Sequence, residues 1–189
     1  MKRRLPILAT IAALVLASLG CVINLGGPDL PAETIPVSPD AAAQLKDQFK
    51  FTIENARIGD GSVTFTITEQ QLTSLLASRL EGQSDPFITD PQVFLRDGQM
   101  RIYGKAHRGL FAATVGIVVS AGVDDQGNPQ FTVDSADFGP LPAPEGLINT
   151  LTDFVTEAYT SALGPVATGF RLEQLGIENG NMTLTGHVQ

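Results

Sequence analysis

The sequence has one cysteine, two histidines and no tryptophan among its 189 residues. A lone cysteine excludes an internal disulfide, so the hydrophobic core must stabilise the fold by itself. The absence of tryptophan and an aromatic content of 6% argue against a carbohydrate-stacking surface. Basic residues are also scarce. Without Lys2, Arg3 and Arg4, nine of the 12 basic residues remain against 20 acidic ones, which leaves a net charge of −11. Because this charge repels phosphates, we expect no nucleic-acid partner and no electrostatic attraction to an anionic bilayer.

Patterns typical of catalytic and metal sites are missing as well. His107 and His187 each lack a second ligand at metal-binding spacing. The run that begins at Asp124 resembles a calcium loop in composition, but it lacks the spacing and the final Glu and is predicted to be a solvated hairpin loop. No serine lies in a Gly-x-Ser-x-Gly motif, and no phosphate-binding glycine loop occurs. The sequence therefore predicts a protein that is not an enzyme and that holds no metal and no cofactor.

The N-terminus has the pattern of a secretory signal. MKRR precedes the apolar run LPILATIAALVLASLG, and Cys21 follows it directly. A lone cysteine at this boundary resembles the lipidation site of bacterial lipoproteins, so Cys21 is the predicted lipidation site. Two alternatives remain. The uncharged stretch Leu5–Ile23 is long enough to stay as an uncleaved anchor, or the chain is simply secreted and Cys21 has no role.

The chain divides into three parts. Residues 1–20 are predicted to be a signal peptide or membrane anchor, which places the rest outside the cytoplasmic membrane and attached to it. Residues 21–40 form a predicted proline-rich, extended tether. Residues 41–189 form a single predicted domain, beginning with a short helix from Ala41 to about Phe49 that Asp40 would cap.

Alternating apolar and polar residues predict the strands. Val63, Phe65 and Ile67 alternate with threonines, which is the pattern of a half-buried strand. Thr68 and Gln71 follow with the spacing of a capping box, so this strand is expected to pass directly into a helix.

The most regular alternation runs from Val115 to Val123. The turn cluster DDQGNP joins it to a return strand that contains Phe131 and Val133. A long helix with a broad apolar face is predicted at about 145–163.

Two hairpins share one pattern. Phe94–Gly104 reads FLRDGQMRIYG and Ile177–Gly186 reads IENGNMTLTG, each with an Asx-Gly turn. Their turn glycines, Gly98 and Gly180, are 180 − 98 = 82 residues apart, and the same offset moves the first helix into the long helix at 145–163. We therefore predict an α+β fold, in which a curved antiparallel β-sheet packs on a long amphipathic helix plus a shorter helix, in pseudo-duplicated helix–hairpin units.

Small residues along the 115–123 strand suggest space between sheet and helix, in which an acyl chain would fit. The predicted apolar groove consists of Val115, Ile117, Val119, Phe131, Leu151, Phe154, Val155 and Tyr159. The competing interpretation is that these residues form an ordinary packed core.

The chain is similar to two groups of bacterial envelope proteins, the YpmS-like proteins and the LmeA-like phospholipid-binding proteins. The similar features are the lipoprotein-type leader, the proline-rich segment, the run Ile67-Thr68-Glu69-Gln70-Gln71-Leu72, the run DPQVFLRDGQMRIYG and the segment Asp137–Pro144. The resemblance covers Ser62–Val188. It implies the tubular lipid-binding architecture, in which a highly curved antiparallel sheet wraps a long helix, and it implies binding of a lipid outside the cytoplasm. It assigns no catalytic residue.

The leading hypothesis is thus a membrane-tethered, non-catalytic binding protein for a lipid or a lipid-linked envelope precursor. The alternative is a structural lipoprotein with a fully packed core that contacts another envelope protein. A third class, an envelope hydrolase or transferase, needs convergent polar groups in a pocket, and clustering of His107 and His187 with acidic residues would favour it.

Overall fold

The computed structural model describes residues 23–84, 86, 88–108, 111–140 and 170–188. Within them lie eight strands and two helices. The strands are β1 (Ile23–Asn24), β2 (Ser62–Thr68), β3 (Ile88–Arg96), β4 (Gln99–Arg108), β5 (Phe111–Val123), β6 (Pro129–Asp137), β7 (Phe170–Glu178) and β8 (Asn181–Val188). The helices are α1 (Pro39–Ile58) and α2 (Glu69–Glu81). The predicted α+β class is confirmed. The long helix predicted at 145–163 lies outside the described residues.

The strands form two antiparallel sheets. The large sheet has the order β1-β5-β4-β3, with β6 pairing along the second half of β5. Its only parallel contact in the described part is the short pair between β1 and the start of β5. The small sheet has the order β2-β8-β7. Main-chain hydrogen bonds connect the sheets at two places: Gly180 N–H to the Leu95 oxygen (3.1 Å) and Leu172 N–H to the Gly127 oxygen (2.9 Å).

Helix α1 begins earlier and ends later than predicted. Ser38, not Asp40, is the N-cap, and Pro39 occupies the first turn, where its missing N–H costs nothing. The helix continues past Phe49 to Ile58 because its buried stripe continues through Ile53. The part of the chain that the structure describes contains no helix long and apolar enough to cross a membrane.

Helix α2 confirms the capping box. The Gln71 N–H donates to the Thr68 hydroxyl (3.2 Å), and the Thr68 N–H donates to the Gln71 side chain (3.0 Å). Gly82 is the C-cap, as expected from its position after the apolar stripe. A buried hydroxyl on this helix, that of Thr73, accepts the Val93 N–H of β3 (3.0 Å) and fixes the helix on the large sheet.

One apolar face of each sheet forms the core. In the large sheet, Leu95, Met100 and Val119 lie opposite one another on adjacent strands, and all three are buried. In the small sheet the equivalent cross-strand set includes Ile67 and Met182. Helix α1 packs its buried stripe here, with the Phe49 ring edge-on to the Phe65 ring at 5.1 Å between centroids. Directly opposed side chains share a face, so this register fixes which residues point inward.

Both predicted hairpins are present, with the same register. The turns at Asp97-Gly98 and Asn179-Gly180 have positive φ at both positions, the geometry of a type I′ turn. Leu95 pairs with Met100 in the first hairpin as Ile177 pairs with Met182 in the second.

Each hairpin also has a register irregularity on its first strand, at Thr89/Gln92 and at Leu172/Gln174. The glycines near these irregularities, Gly104 and Gly186, are closely approached by the partner strand. A Cβ at Gly104 would meet Ile88, and one at Gly186 would meet the Arg171 carbonyl. Glycine is therefore required at equivalent positions of both hairpins.

The segment predicted to be a tether lies against the large sheet. After β1 it continues along β5, with the Leu25 N–H donating to the Ala112 oxygen (2.8 Å) and the Thr114 N–H donating to the Gly26 oxygen (2.9 Å). It then crosses the outer face of the sheet. There Gln92 bonds both main-chain groups of Ile35, accepting from its N–H (2.7 Å) and donating to its oxygen (3.2 Å).

Ile35 is buried by this contact, and the Ser38 N–H donates to the Ser74 hydroxyl of α2 (3.0 Å). The folded body thus includes residues upstream of position 41. We call residues 23–38 the N-terminal strap.

Candidate functional site

Four of the eight predicted groove residues lie on described strands. Val115, Ile117 and Val119 are buried members of the core, and Phe131 on β6 is partly buried. The other four, Leu151, Phe154, Val155 and Tyr159, lie outside the described residues, as does Cys21. The structure therefore brings one half of the predicted groove together and leaves the opposite wall as a prediction.

The described half is one continuous apolar face. Val115, Ile117 and Val119 alternate on β5 and point to the same side of the sheet. In the antiparallel pair, Phe131 is opposite Ala121 and therefore points to that side too. Burial changes along this face, because the residues near the middle of β5 are fully covered while those toward its end and on β6 are only partly covered.

We call the partly covered part the apolar strip. It consists of Ala121, Val123, Phe131, Val133 and Ala136. Sequence reasoning found Phe131 but omitted the rest, although the alternation of β5 continues through Val123. Of the predicted groove residues, Phe131 is the one that lies in the strip, and it is only partly buried.

The charged residues next to the strip include Asp134, which follows Val133 and so points to the opposite face, and Asp124, which lies in the loop after Val123. The loop that closes β5–β6 is organised by Asp124, which accepts main-chain N–H bonds from Asn128 and Gln126, both at 2.8 Å. The main-chain and side-chain hydrogen bonds from Asn128 lower the pKa of Asp124. The carboxylate is thus used to hold the turn, as expected for a solvated hairpin loop.

A second feature is polar and lies where the two hairpin turns meet. A shallow pocket of about 380 Å³ opens beside the N-terminus of α2. Its lining is Glu33, Thr34, Ile35, Pro36, Thr68, Glu69, Gln70, Arg96, Asn179 and Gly180. The Arg96 guanidinium is in contact with the Glu69 carboxylate, and the Glu33 carboxylate lies 3.6 Å from the same guanidinium.

Glu69 contacts both hairpins, the first through its carboxylate and the second through its main chain. It accepts the Leu95 N–H of β3 at 2.6 Å as well as the Arg96 guanidinium. The Glu69 N–H in turn donates to the Gly180 oxygen at the other hairpin (3.1 Å). With Arg96 opposed by two carboxylates, the pocket offers no free positive charge to a ligand. Its geometry is that of a structural junction.

The two histidines are not brought together into a reactive cluster. His107 on β4 contacts the Thr89 hydroxyl (3.2 Å), and His187 on β8 contacts the Glu173 carboxylate (3.0 Å). They lie on different sheets, and both are exposed. Among the described ranges, no group of three or more His, Cys, Asp or Glu side chains is arranged to hold a metal ion.

Sequence reasoning missed the junction because its partners are distant in the chain. Glu69 was visible only as the first residue of a helix, and Arg96 only as a residue before a turn. The one available signal is that Glu69 begins the first helix of the predicted repeat and Arg96 precedes its hairpin turn. A repeat that packs its helix against its own hairpin would bring the two residues close together.

A scan of protein-family models gives no match for this chain, and a comparison with curated proteins gives no significant match either.

Proposed function

We propose that this protein is a membrane-tethered, extracytoplasmic binding protein for a lipid or a lipid-linked envelope precursor, without catalytic activity. The observation that supports this proposal is the apolar strip. It continues the buried core outward along β5 and β6 and remains partly accessible. Acyl chains bind in mostly apolar pockets, and the strip would provide one apolar wall of such a pocket.

The opposite wall would come from the long amphipathic helix predicted at 145–163. Its apolar residues Leu151, Phe154, Val155 and Tyr159 would face the sheet, and the sheet would curve around them. In this arrangement Val115, Ile117 and Val119 form the closed end of the groove, because they are already buried. Phe131 and its neighbours in the strip form the open end.

A pseudo-duplicated fold is part of this proposal. Apart from the matched hairpins, the strand next to each hairpin also corresponds. Gly104 pairs with Val115 on β5, and Gly186 pairs with Val63 on β2. The inward residues of β2 thus lie beside the second hairpin in the way that the inward residues of β5 lie beside the first. Strand β2 precedes the first hairpin but pairs with β8 of the second, and β5 precedes the second hairpin but pairs with β4 of the first. The two units would therefore have exchanged their first strands.

The alternative is a structural or interaction protein. It is favoured by the complete burial of Val115, Ile117 and Val119, which leaves no space at the centre of the described core. In that case the strip would be covered by the remainder of the chain, and the acidic outer surface would contact another envelope protein.

Native mass spectrometry of the domain without its leader, expressed in a lipid-containing host, tests the proposal. We expect a co-purifying mass of lipid size that exchanges with added phospholipid. Phe131→Ser should abolish this adduct. The matched control is Phe51→Ser, since Phe51 is 66% exposed on α1, outside the strip. A clean ligand-free mass with no lipid exchange would overturn the lipid proposal and favour the alternative.

A further inference from the structure

Two exposed apolar side chains lie together at one end of the large sheet. Phe111, the first residue of β5, is 44% exposed, and Leu25 is 37% exposed. They are adjacent because β1 pairs with the start of β5: Ile23 is opposite Phe111, and the Leu25 N–H donates to the Ala112 oxygen. We call Leu25 and Phe111 the apolar tip.

The apolar tip lies far from the small sheet. Strand β5 has 13 residues, which corresponds to a length of roughly 40 Å. The other end of β5 leads into the loop at Gly127, which bonds Leu172 of the small sheet. Exposed large apolar side chains also occur at Leu30 and Val37, further along the strap. Two more lie on α1, at Phe51 and Ile58, but this helix packs on the small sheet.

The sequence that precedes the tip is apolar. The uncharged stretch Leu5–Ile23 ends at β1, within the strap that is paired to β5. Cys21, the predicted lipidation site, is two residues before Ile23, and two residues of extended chain reach at most about 7 Å. An anchor at either position therefore brings the start of β5 to the bilayer surface, because the pairing of β1 leaves no free linker between them.

We propose that the apolar tip docks into the lipid surface in which the N-terminus is anchored. This inference rests on the membrane tether of the proposed function and adds the orientation of the domain. Phe111 would enter the boundary between head groups and acyl chains, where aromatic side chains are favoured. By register, the charged residue beside the tip is Arg108 on β4, which is opposite Phe111. A basic residue at the level of the lipid head groups is compatible with docking. Docking is thus driven by the apolar side chains of the tip, and a zwitterionic lipid surface is sufficient for it.

The absence of tryptophan provides a direct test. The full-length chain with Phe111→Trp is reconstituted in phosphatidylcholine vesicles whose acyl chains are brominated near the head-group end. The matched control is Phe51→Trp, which places the same fluorophore at the more exposed position on α1. We expect several-fold stronger bromine quenching at position 111 than at position 51, and no dependence on salt concentration.

Three results would overturn the inference. Equal quenching at the two positions would show no preferred orientation, and stronger quenching at position 51 would show that α1 faces the bilayer. Absence of quenching at position 111 would also refute it, whether the protein floats with the vesicles or not. A blue shift of that tryptophan with rising protein concentration in detergent would then identify a second copy of the chain as the occupant of the tip.

The failure of this inference is distinguishable from failure of the proposed lipid cargo. Quenching reports on the anchored full-length chain, whereas native mass spectrometry reports on the domain without its leader. Quenching at position 111 together with a ligand-free domain would support tip docking and refute the lipid cargo. A lipid adduct without quenching would support the cargo and refute the docking.

Discussion

Replacement of Glu69 tests how much its carboxylate contributes to the attachment of α2 to β3. Its oxygen accepts the Leu95 N–H at 2.6 Å and contacts Arg96, while its own N–H donates to the Gly180 oxygen. Alanine removes the first two interactions and keeps the third, which is main-chain only. Leu95 is fully buried, so its N–H would lose its acceptor in a place that water reaches poorly.

The expected cost is dominated by the main-chain hydrogen bond. A hydrogen bond to a charged acceptor contributes about 1.5–3 kcal/mol. The Arg96 side chain is 37% exposed, so its ion pair with Glu69 is screened and adds only about 0–1 kcal/mol. Glu69→Ala should therefore lower the free energy of unfolding by about 2–4 kcal/mol. Glu69→Gln keeps an acceptor for the Leu95 N–H and should cost about 1 kcal/mol.

Urea unfolding measures these differences, and Glu33→Ala is the matched control. Glu33 also faces Arg96, but its side chain is 70% exposed and 3.6 Å away, so its removal should change stability by less than about 0.5 kcal/mol. Hydrogen exchange of the Leu95 amide should accelerate in Glu69→Ala and not in Glu33→Ala. Equal losses for these two variants would refute the reasoning. A Gln variant as unstable as the Ala variant would show that the charge, and not the main-chain hydrogen bond, makes the contribution.

Two further predictions concern the strap and the hairpins. Gln92→Ala removes both hydrogen bonds to the Ile35 main chain, so proteolysis and amide exchange around Ile35 should accelerate. The free energy of unfolding should fall by about 1–2 kcal/mol. An unchanged exchange rate at Ile35 would contradict the contact. Gly186→Ala and Gly104→Ala each place a Cβ against the partner strand and should lower the free energy of unfolding by about 1–3 kcal/mol, measured by thermal or urea unfolding. Gly176→Ala is the control and should be close to neutral, because the space at its Cβ is open. A neutral Gly186→Ala would contradict the close approach.

Local signals made much of the fold predictable. The capping box at Thr68 and Gln71 and the Asx-Gly turns are decided by residues a few positions apart, and both are present as predicted. The alternation around Val115 likewise fixed which face of β5 is buried. Such features are visible in a sequence because the groups that stabilise them are neighbours in the chain.

The extent of α1 shows where local propensity was overridden. Thr52 and Ile53 are β-branched, which slightly disfavours a helix, yet the chain remains helical there. Burial of Ile53 beside Phe49 against the small sheet provides the compensating free energy. The start of α1 is indicated by the sequence Ser38-Pro39-Asp40, since proline is favoured at the first helical position.

The strap and the junction could not be predicted, because their contacts join distant parts of the chain. Ile35 and Gln92 are 57 residues apart, and Glu69 and Arg96 are 27 apart. A proline-rich composition predicts an extended chain equally well whether that chain is free or lies on a sheet. Whether the segment is free or bound is decided by the outer face of the large sheet, where the Gln92 side chain bonds the main chain of Ile35.

The strap also constrains how a lipid would reach the apolar strip. Ala121 is ten residues along β5 from Phe111, which corresponds to about 33 Å of strand. If the tip is at the bilayer, the strip lies at the end away from it, and buried residues from Val115 to Val119 fill the inner face between them. An acyl chain therefore cannot pass directly along β5 from the membrane. Under both proposals, we therefore expect cargo to enter beside β6, at the membrane-distal end of the sheet.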